Sequence, residues 1–143
     1  MSRDRPGGPW QRGHVVETGS LAYVLPTSGA VVAFARRVAR SASRHWPDGR
    51  VRDAVLLIVS ELLGNAVKAA VWPTVSLRLS WTARRVRIEV GDDDARLPVV
   101  RQPALADEGG RGLLLVSQLA TRWGSYRVGR GKCVWAEVAL PAF

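Results

Sequence analysis

Glu61 and Asn65 stand four residues apart in the stretch Glu61-Leu-Leu-Gly-Asn65-Ala66-Val67-Lys68. A helix places this carboxylate and carboxamide on one face, one turn above the other. The preceding residues, Val51-Arg-Asp-Ala-Val-Leu-Leu-Ile-Val-Ser, read as a buried helix, and such helices seldom carry polar groups without a use. The oxygens suit a hard cation and a polyphosphate, and the carboxylate suits a base beside them. A solvated stripe on an amphipathic helix is the plainer alternative. Two further signals lie downstream. Val90-Gly91-Asp92 puts a carboxylate where an apolar strand ends, and a half-buried aspartate there needs donors such as the exocyclic amine of a purine. Glu108-Gly109-Gly110-Arg111-Gly112-Leu113-Leu114-Leu115-Val116 is a glycine-rich loop running into an apolar helix. Glycines let backbone amides approach a phosphate, and a helix N-terminus offers free N–H groups; a flexible turn is the alternative. The segment matches neither the Walker spacing nor the GxGxxG fingerprint. Asp93 and Asp94 read as a solvated acidic loop rather than a metal-binding triplet.

The elements that must position these residues follow from periodicity and breakers. Ser20–Leu25 reads as a short strand ended by Pro26, and Thr27 or Ser28 can cap a helix reaching about His45. Pro47-Asp48-Gly49 makes a turn, and the helix that carries Glu61 and Asn65 runs from about Gly49 to Val71, before Pro73. Thr74–Thr82 and Arg85–Val90 alternate apolar and polar residues about a tight turn at Ala83-Arg84. A loop spans Gly91–Gly110, and a short helix covers Gly112–Ala120. Arg122–Val128 and Lys132–Leu140 form a last hairpin through Gly129-Arg130-Gly131. The fold class expected is a two-layer α/β (α+β) sandwich, with a mixed, mainly antiparallel sheet covered on one face by helices.

Composition bounds the function classes. The 143 residues suffice for one domain with a real core. No apolar run reaches 18 residues and the N-terminus lacks the apolar stretch of a signal peptide, so neither a membrane span nor a leader is expected. The single cysteine, Cys133, cannot form an internal disulfide, which fits the cytoplasm. Residues 1–17 read as a basic, disordered tail. The formal net charge is +9, and all but Lys68 and Lys132 of the 21 basic residues are arginine. Arg36, Arg37, Arg40 and Arg44 recur on the first helix, and Arg84, Arg85 and Arg87 cluster near a turn. With no nucleic-acid motif and no interleaved aromatics, they read as a solvated basic surface able to attract an acidic partner, and direct nucleic-acid binding is not expected. His14 and His45 read as surface residues, and Trp81 and Trp135 as packing residues.

Order and spacing add more than each motif alone. Glu-x-x-x-Asn on a helix is followed 27 residues on by an aspartate after a strand, then by Gly-x-Gly opening a helix. With Val-Ser-Glu-Leu-Leu-Gly-Asn-Ala-Val, Gly-Gly-Arg-Gly-Leu-Leu-Leu-Val and Gly-Lys-Cys-Val-Trp-Ala-Glu in this order, residues 18–140 resemble the histidine-kinase-like ATPase superfamily (the GHKL, or Bergerat, nucleotide-binding fold). More narrowly the chain is similar to small bacterial stand-alone members related to anti-sigma-factor serine/threonine kinases. The resemblance implies one ATP-binding domain over residues 18–143, with ATP and Mg²⁺ as ligands. It implies that Asn65 holds Mg²⁺ against the phosphates, that Glu61 is the general base, and that Asp92 accepts from the adenine amino group. Gly110, Arg111, Gly112 and Leu113 would form a remnant lid and the phosphate-contacting helix start. Cys133 stands where the family usually has a threonine beside the adenine-binding aspartate, and Ala69 where it often has a histidine. Asp93-Asp94-Ala95-Arg96 replaces the glycines that usually follow the aspartate, while Pro98 matches. The partners implied are an anti-anti-sigma-type protein, a sigma factor, or both, and a homodimer through the first strand and helix is plausible. Two functions stay open: a protein kinase in partner switching that controls transcription, and a non-catalytic docking module that holds ATP or no nucleotide.

Overall fold

Glycine, proline and side-chain period divide the chain into the elements that carry the site. The computed structural model describes residues 18–93 and 108–141. The expected N-terminal tail, His14 and the loop residues Asp94 to Pro98 lie outside them. The order is β1 (Gly19–Pro26), α1 (Val31–Ala42), α2 (Gly49–Ala69), β2 (Thr74–Trp81), β3 (Arg85–Asp92), α3 (Glu108–Leu119), β4 (Arg122–Val128) and β5 (Gly131–Ala139). The five strands form one sheet in the order β1-β2-β3-β5-β4. Every pairing is antiparallel, the pure form of the mainly antiparallel sheet expected.

Strand alternation decides the two faces of the sheet. Val75, Leu77 and Leu79 of β2, Val86, Ile88 and Val90 of β3, and Val134, Ala136 and Val138 of β5 are buried towards the helices. Helix α2 meets them with Val51, Val55, Leu56, Ile58, Val59, Leu62, Leu63 and Ala66, a helical-period stripe. Asp48 starts this helix by accepting the Arg50 N–H at 2.8 Å, the ordinary N-cap bond. Helix α1 packs on α2, and Arg36 donates to Ser60 Oγ at 3.0 Å.

The first helix differs from expectation at its start. It begins at Val31 behind Ala30, with no side-chain cap. Thr27 instead binds the α2–β2 connection: its N–H donates to Pro73 O at 2.9 Å and its hydroxyl to Trp72 O at 3.5 Å. A hydroxyl used across the sheet end is unavailable to cap a helix. Strand β3 also runs two residues past Val90, because Gly91 and Asp92 find register partners in Cys133 and Lys132 of β5.

Among the described residues, the opposite face of the sheet carries no helix. Trp135 lies there between Arg87 and Arg122, whose guanidinium carbons sit 4.4 and 5.6 Å from its ring centre. Glu137 binds Arg87 at 2.7 Å, with Arg85 and Arg122 each at 3.8 Å. Burial works against the Arg87 charge, but hydrogen bonds to Glu137 and Glu89 outweigh it and raise its pKa. Trp81 packs edge-on against Trp46 at 6.2 Å, as a packing role requires. Arg37 and Arg40 of α1 and Arg44 just beyond it line an open cleft with Arg52 of α2, and none of the four makes an ion pair with a described residue.

Candidate functional site

Helix α2 brings Glu61 and Asn65 to one half-buried stripe at the side where α3 arrives. The residue of α3 that meets them is Gly112, itself buried. A Cβ added there would collide with Glu61 Oε1 and lie 3.7 Å from Asn65 Nδ2. A glycine lets the α3 backbone come this close to Glu61 without displacing its carboxylate. Glu61, Asn65 and Gly112, separated by up to 51 residues in sequence, therefore converge on one spot. Their donors suit magnesium, which takes few protein oxygens and leaves room for phosphate and water. Among the described residues no cluster of three or more His, Cys, Asp or Glu forms a cage of its own.

The glycine-rich segment is helical rather than a loop. Helix α3 begins at Glu108, so Gly109, Gly110 and Arg111 fall in its first turn and Gly112 follows directly. The first turn of a helix supplies its unpaired N–H groups and its positive dipole end. Leu113 and Val116 are 6% and 0% exposed and anchor the helix to the core. The Leu113 side chain is thus a packing group. Ala69 is the last residue of α2 and half-buried.

Asp92 closes β3 with its side chain 3% exposed, and Lys132 Nζ binds its Oδ1 at 2.9 Å. The two stand directly opposite in the β3–β5 register. Cys133 stands one residue further, opposite Gly91 and Tyr126. Because successive strand residues face opposite sides, its thiol lies on the open face of the sheet with Tyr126, away from the Asp92 carboxylate. The expectation that Cys133 sits beside the aspartate is thereby corrected: Lys132 occupies that place. Burial pushes the Cys133 thiol pKa up, opposed in part by its hydrogen bond with Tyr126. Lys132 was legible as one of only two lysines in an arginine-rich chain, but its role depends on register. Asp93 also departs from a solvated loop. Its carboxylate accepts the Val71 N–H at 3.1 Å and the Trp72 N–H at 2.6 Å, tying the end of β3 to the α2–β2 turn.

A cleft of about 600 Å³ is lined by Ala22, Ser76, Gly91, Tyr126 and Cys133 and reaches Asp92 and Lys132 at the sheet end. Neither Glu61 nor Asn65 lines it. Among the described residues no helix is long and apolar enough to cross a membrane.

A family model for the histidine kinase-like ATPase domain matches residues 25–138. Among solved structures, the RsbU and RsbW domains of Rv1364c from Mycobacterium tuberculosis superpose with a TM-score of 0.65 at 15% identity. That match covers 87% of this chain and 34% of the other, so the chain spans about a third of that protein's length. The SiaB–SiaC complex from Pseudomonas aeruginosa gives a TM-score of 0.67 at 11% identity, covering 90% of this chain and 92% of the other. No curated protein matches the sequence. At these identities the structural likeness speaks for the fold, which among the described residues is an open five-stranded antiparallel sheet with three helices. The family match, extending from the end of β1 almost to the end of β5, shows that the chain belongs to the histidine kinase-like ATPases.

Proposed function

We propose that this chain binds Mg·ATP and transfers the γ-phosphoryl group to a serine or threonine hydroxyl of a partner protein, as an anti-sigma-factor-type kinase in partner switching. The observation that carries the reading is the convergence of Glu61 and Asn65 on the glycine-lined start of α3. Membership of the ATPase family supports the nucleotide. The shared fold of an RsbW domain, and of SiaB in its complex with SiaC, supports a protein partner of the anti-anti-sigma type. A sigma factor, a homodimer and a cytoplasmic setting belong to the same proposal.

Phosphoryl transfer depends mainly on positioning and charge neutralisation. Asn65 would hold magnesium, which when bound would supply positive charge to offset that of the phosphates. The first turn of α3, through Gly110 and Arg111, would present its N–H groups to the phosphate chain, and Gly112 would keep that turn close to Glu61. Glu61 would take the hydroxyl proton as the oxygen–phosphorus bond forms and the bond to the β-phosphate breaks, releasing ADP. Such help is typically worth about 10²–10⁴-fold. Asp92 would accept from the adenine amino group.

A second reading, a docking module without chemistry, is favoured by one observation: the Asp92 carboxylate is already engaged by Lys132. Thermal unfolding with and without Mg·ATP separates the two. Ligand at a hundredfold its dissociation constant stabilises by about 2.7 kcal/mol, a shift of several degrees for a domain of this size. A shift lost in Asn65→Ala, followed by phosphate transfer lost in Glu61→Gln, supports the kinase. No shift at millimolar ATP refutes it.

A further inference from the structure

Asp92 and Lys132 are the one ion pair on the described residues in which both side chains are more than nine-tenths buried, 3% and 8% exposed. Taking two charges out of water is costly, and close geometry offsets only part of that cost. The pair stands at the end of adjacent strands, so it presents a fixed acceptor beside a fixed donor. A carboxylate has two oxygens and an ammonium three N–H groups, so each is able to hold more than one partner at once.

We infer that Lys132 is a second base-reading group, which donates to the ring N1 of adenine while Asp92 accepts from the 6-amino group. The inference rests on the nucleotide-binding reading proposed above. The edge of adenine carries a donor and an acceptor at neighbouring positions, the complement of the Asp92–Lys132 couple. Guanine reverses that order: its O6 would face the carboxylate and its N1–H the ammonium, so both contacts become repulsive. A site that offers buried, directed groups rejects the ligand that leaves them unmatched. Lysine also does here what the neutral side chain of a threonine could not: it balances the aspartate charge while reaching the ring nitrogen.

Isothermal titration of the unaltered chain tests this with Mg²⁺ complexes of ATP, 1-deaza-ATP, 7-deaza-ATP and GTP. Loss of a hydrogen bond to a charged group costs about tenfold or more in affinity. The expected result is 1-deaza-ATP weaker than ATP by that factor, 7-deaza-ATP close to ATP, and GTP weaker than both. In Lys132→Met the ratio of ATP to 1-deaza-ATP affinity falls to about one, a change that a purely structural lysine would not produce. If that variant does not fold, the ratio in the unaltered chain decides. Equal affinity for ATP and 1-deaza-ATP, or a preference for GTP, overturns the role of Lys132 and leaves nucleotide binding standing. No binding of any of the four overturns both.

Discussion

Replacing Gly112 by alanine adds one methyl group at the point where α3 meets the paired side chains of α2. Two opposite effects follow. In a helix, alanine is favoured over glycine by about 1 kcal/mol, so the fold itself gains. The new Cβ, however, lands within contact distance of Glu61 Oε1, the far end of a flexible chain, and at an ordinary 3.7 Å from Asn65 Nδ2. The carboxylate can swing away cheaply, by roughly an ångström, to restore van der Waals separation. That displacement is small for stability and large for chemistry, since a misplacement of about 1 Å can cost about 10²-fold in rate. The expected outcome is a melting temperature unchanged or raised by a few degrees, ATP affinity within a few-fold of the parent, and phosphoryl transfer, read as ADP formed in a single turnover, down about 10²-fold. Circular dichroism, titration calorimetry and rapid quench read the three quantities on one preparation. An undiminished rate would mean that the position of the Glu61 carboxylate is irrelevant to turnover. A loss of stability above about 2 kcal/mol, a core-sized penalty, would mean that the methyl meets something that cannot yield.

Gly131→Ala makes the contrasting case, because its Cβ would run into the backbone of Asp92 and Asp93; overpacking against rigid backbone should cost about 2–3 kcal/mol in urea unfolding, and a change below about 0.5 kcal/mol would contradict the close approach of β3 and β5. Asp93→Ala removes the acceptor of the Val71 and Trp72 N–H groups. It should cost about 1–2 kcal/mol, with faster hydrogen exchange confined to those two amides. Burial holds the Cys133 thiol up, so the unfolded chain loses its thiol proton first, near pH 8.5. Stability from this group is full below that value and falls as pH rises through the folded range. A disulfide reagent at pH 8 should accordingly react far more slowly with the native chain than with free cysteine. Cys133→Ala should leave ATP affinity unchanged, because the thiol faces the open side of the sheet; a marked loss would place it back beside the nucleotide.

Local pattern was enough for much of this protein. The spacing of Glu61 and Asn65 forces them onto one helical face whatever surrounds them, and the apolar stripe of α2 and the alternation in β2 and β3 already say which side faces the core. The order of the motifs was enough to point to the ATPase family, later shown by the match over residues 25–138. Boundaries were less legible. Thr27 looks like a helix cap in isolation but bonds instead to Trp72 and Pro73, 45 residues away or more. The glycines before Gly112 look like a loop, yet α3 begins at Glu108, because packing of Leu113 and Val116 on the core supports a turn that glycine propensity alone would not.

What tertiary structure alone decided is which residue faces which across the sheet. Lys132 and Cys133 are neighbours in sequence, and either could be set beside Asp92 from 40 residues away. A strand turns successive side chains to opposite faces, so a one-residue difference in register exchanges their places. The β3–β5 pairing puts Lys132 opposite Asp92 and sends Cys133 to the open face. The chemical character of the end of β3, an ion pair rather than an aspartate with a thiol, is therefore a property of that register, which no local periodicity in the sequence encodes.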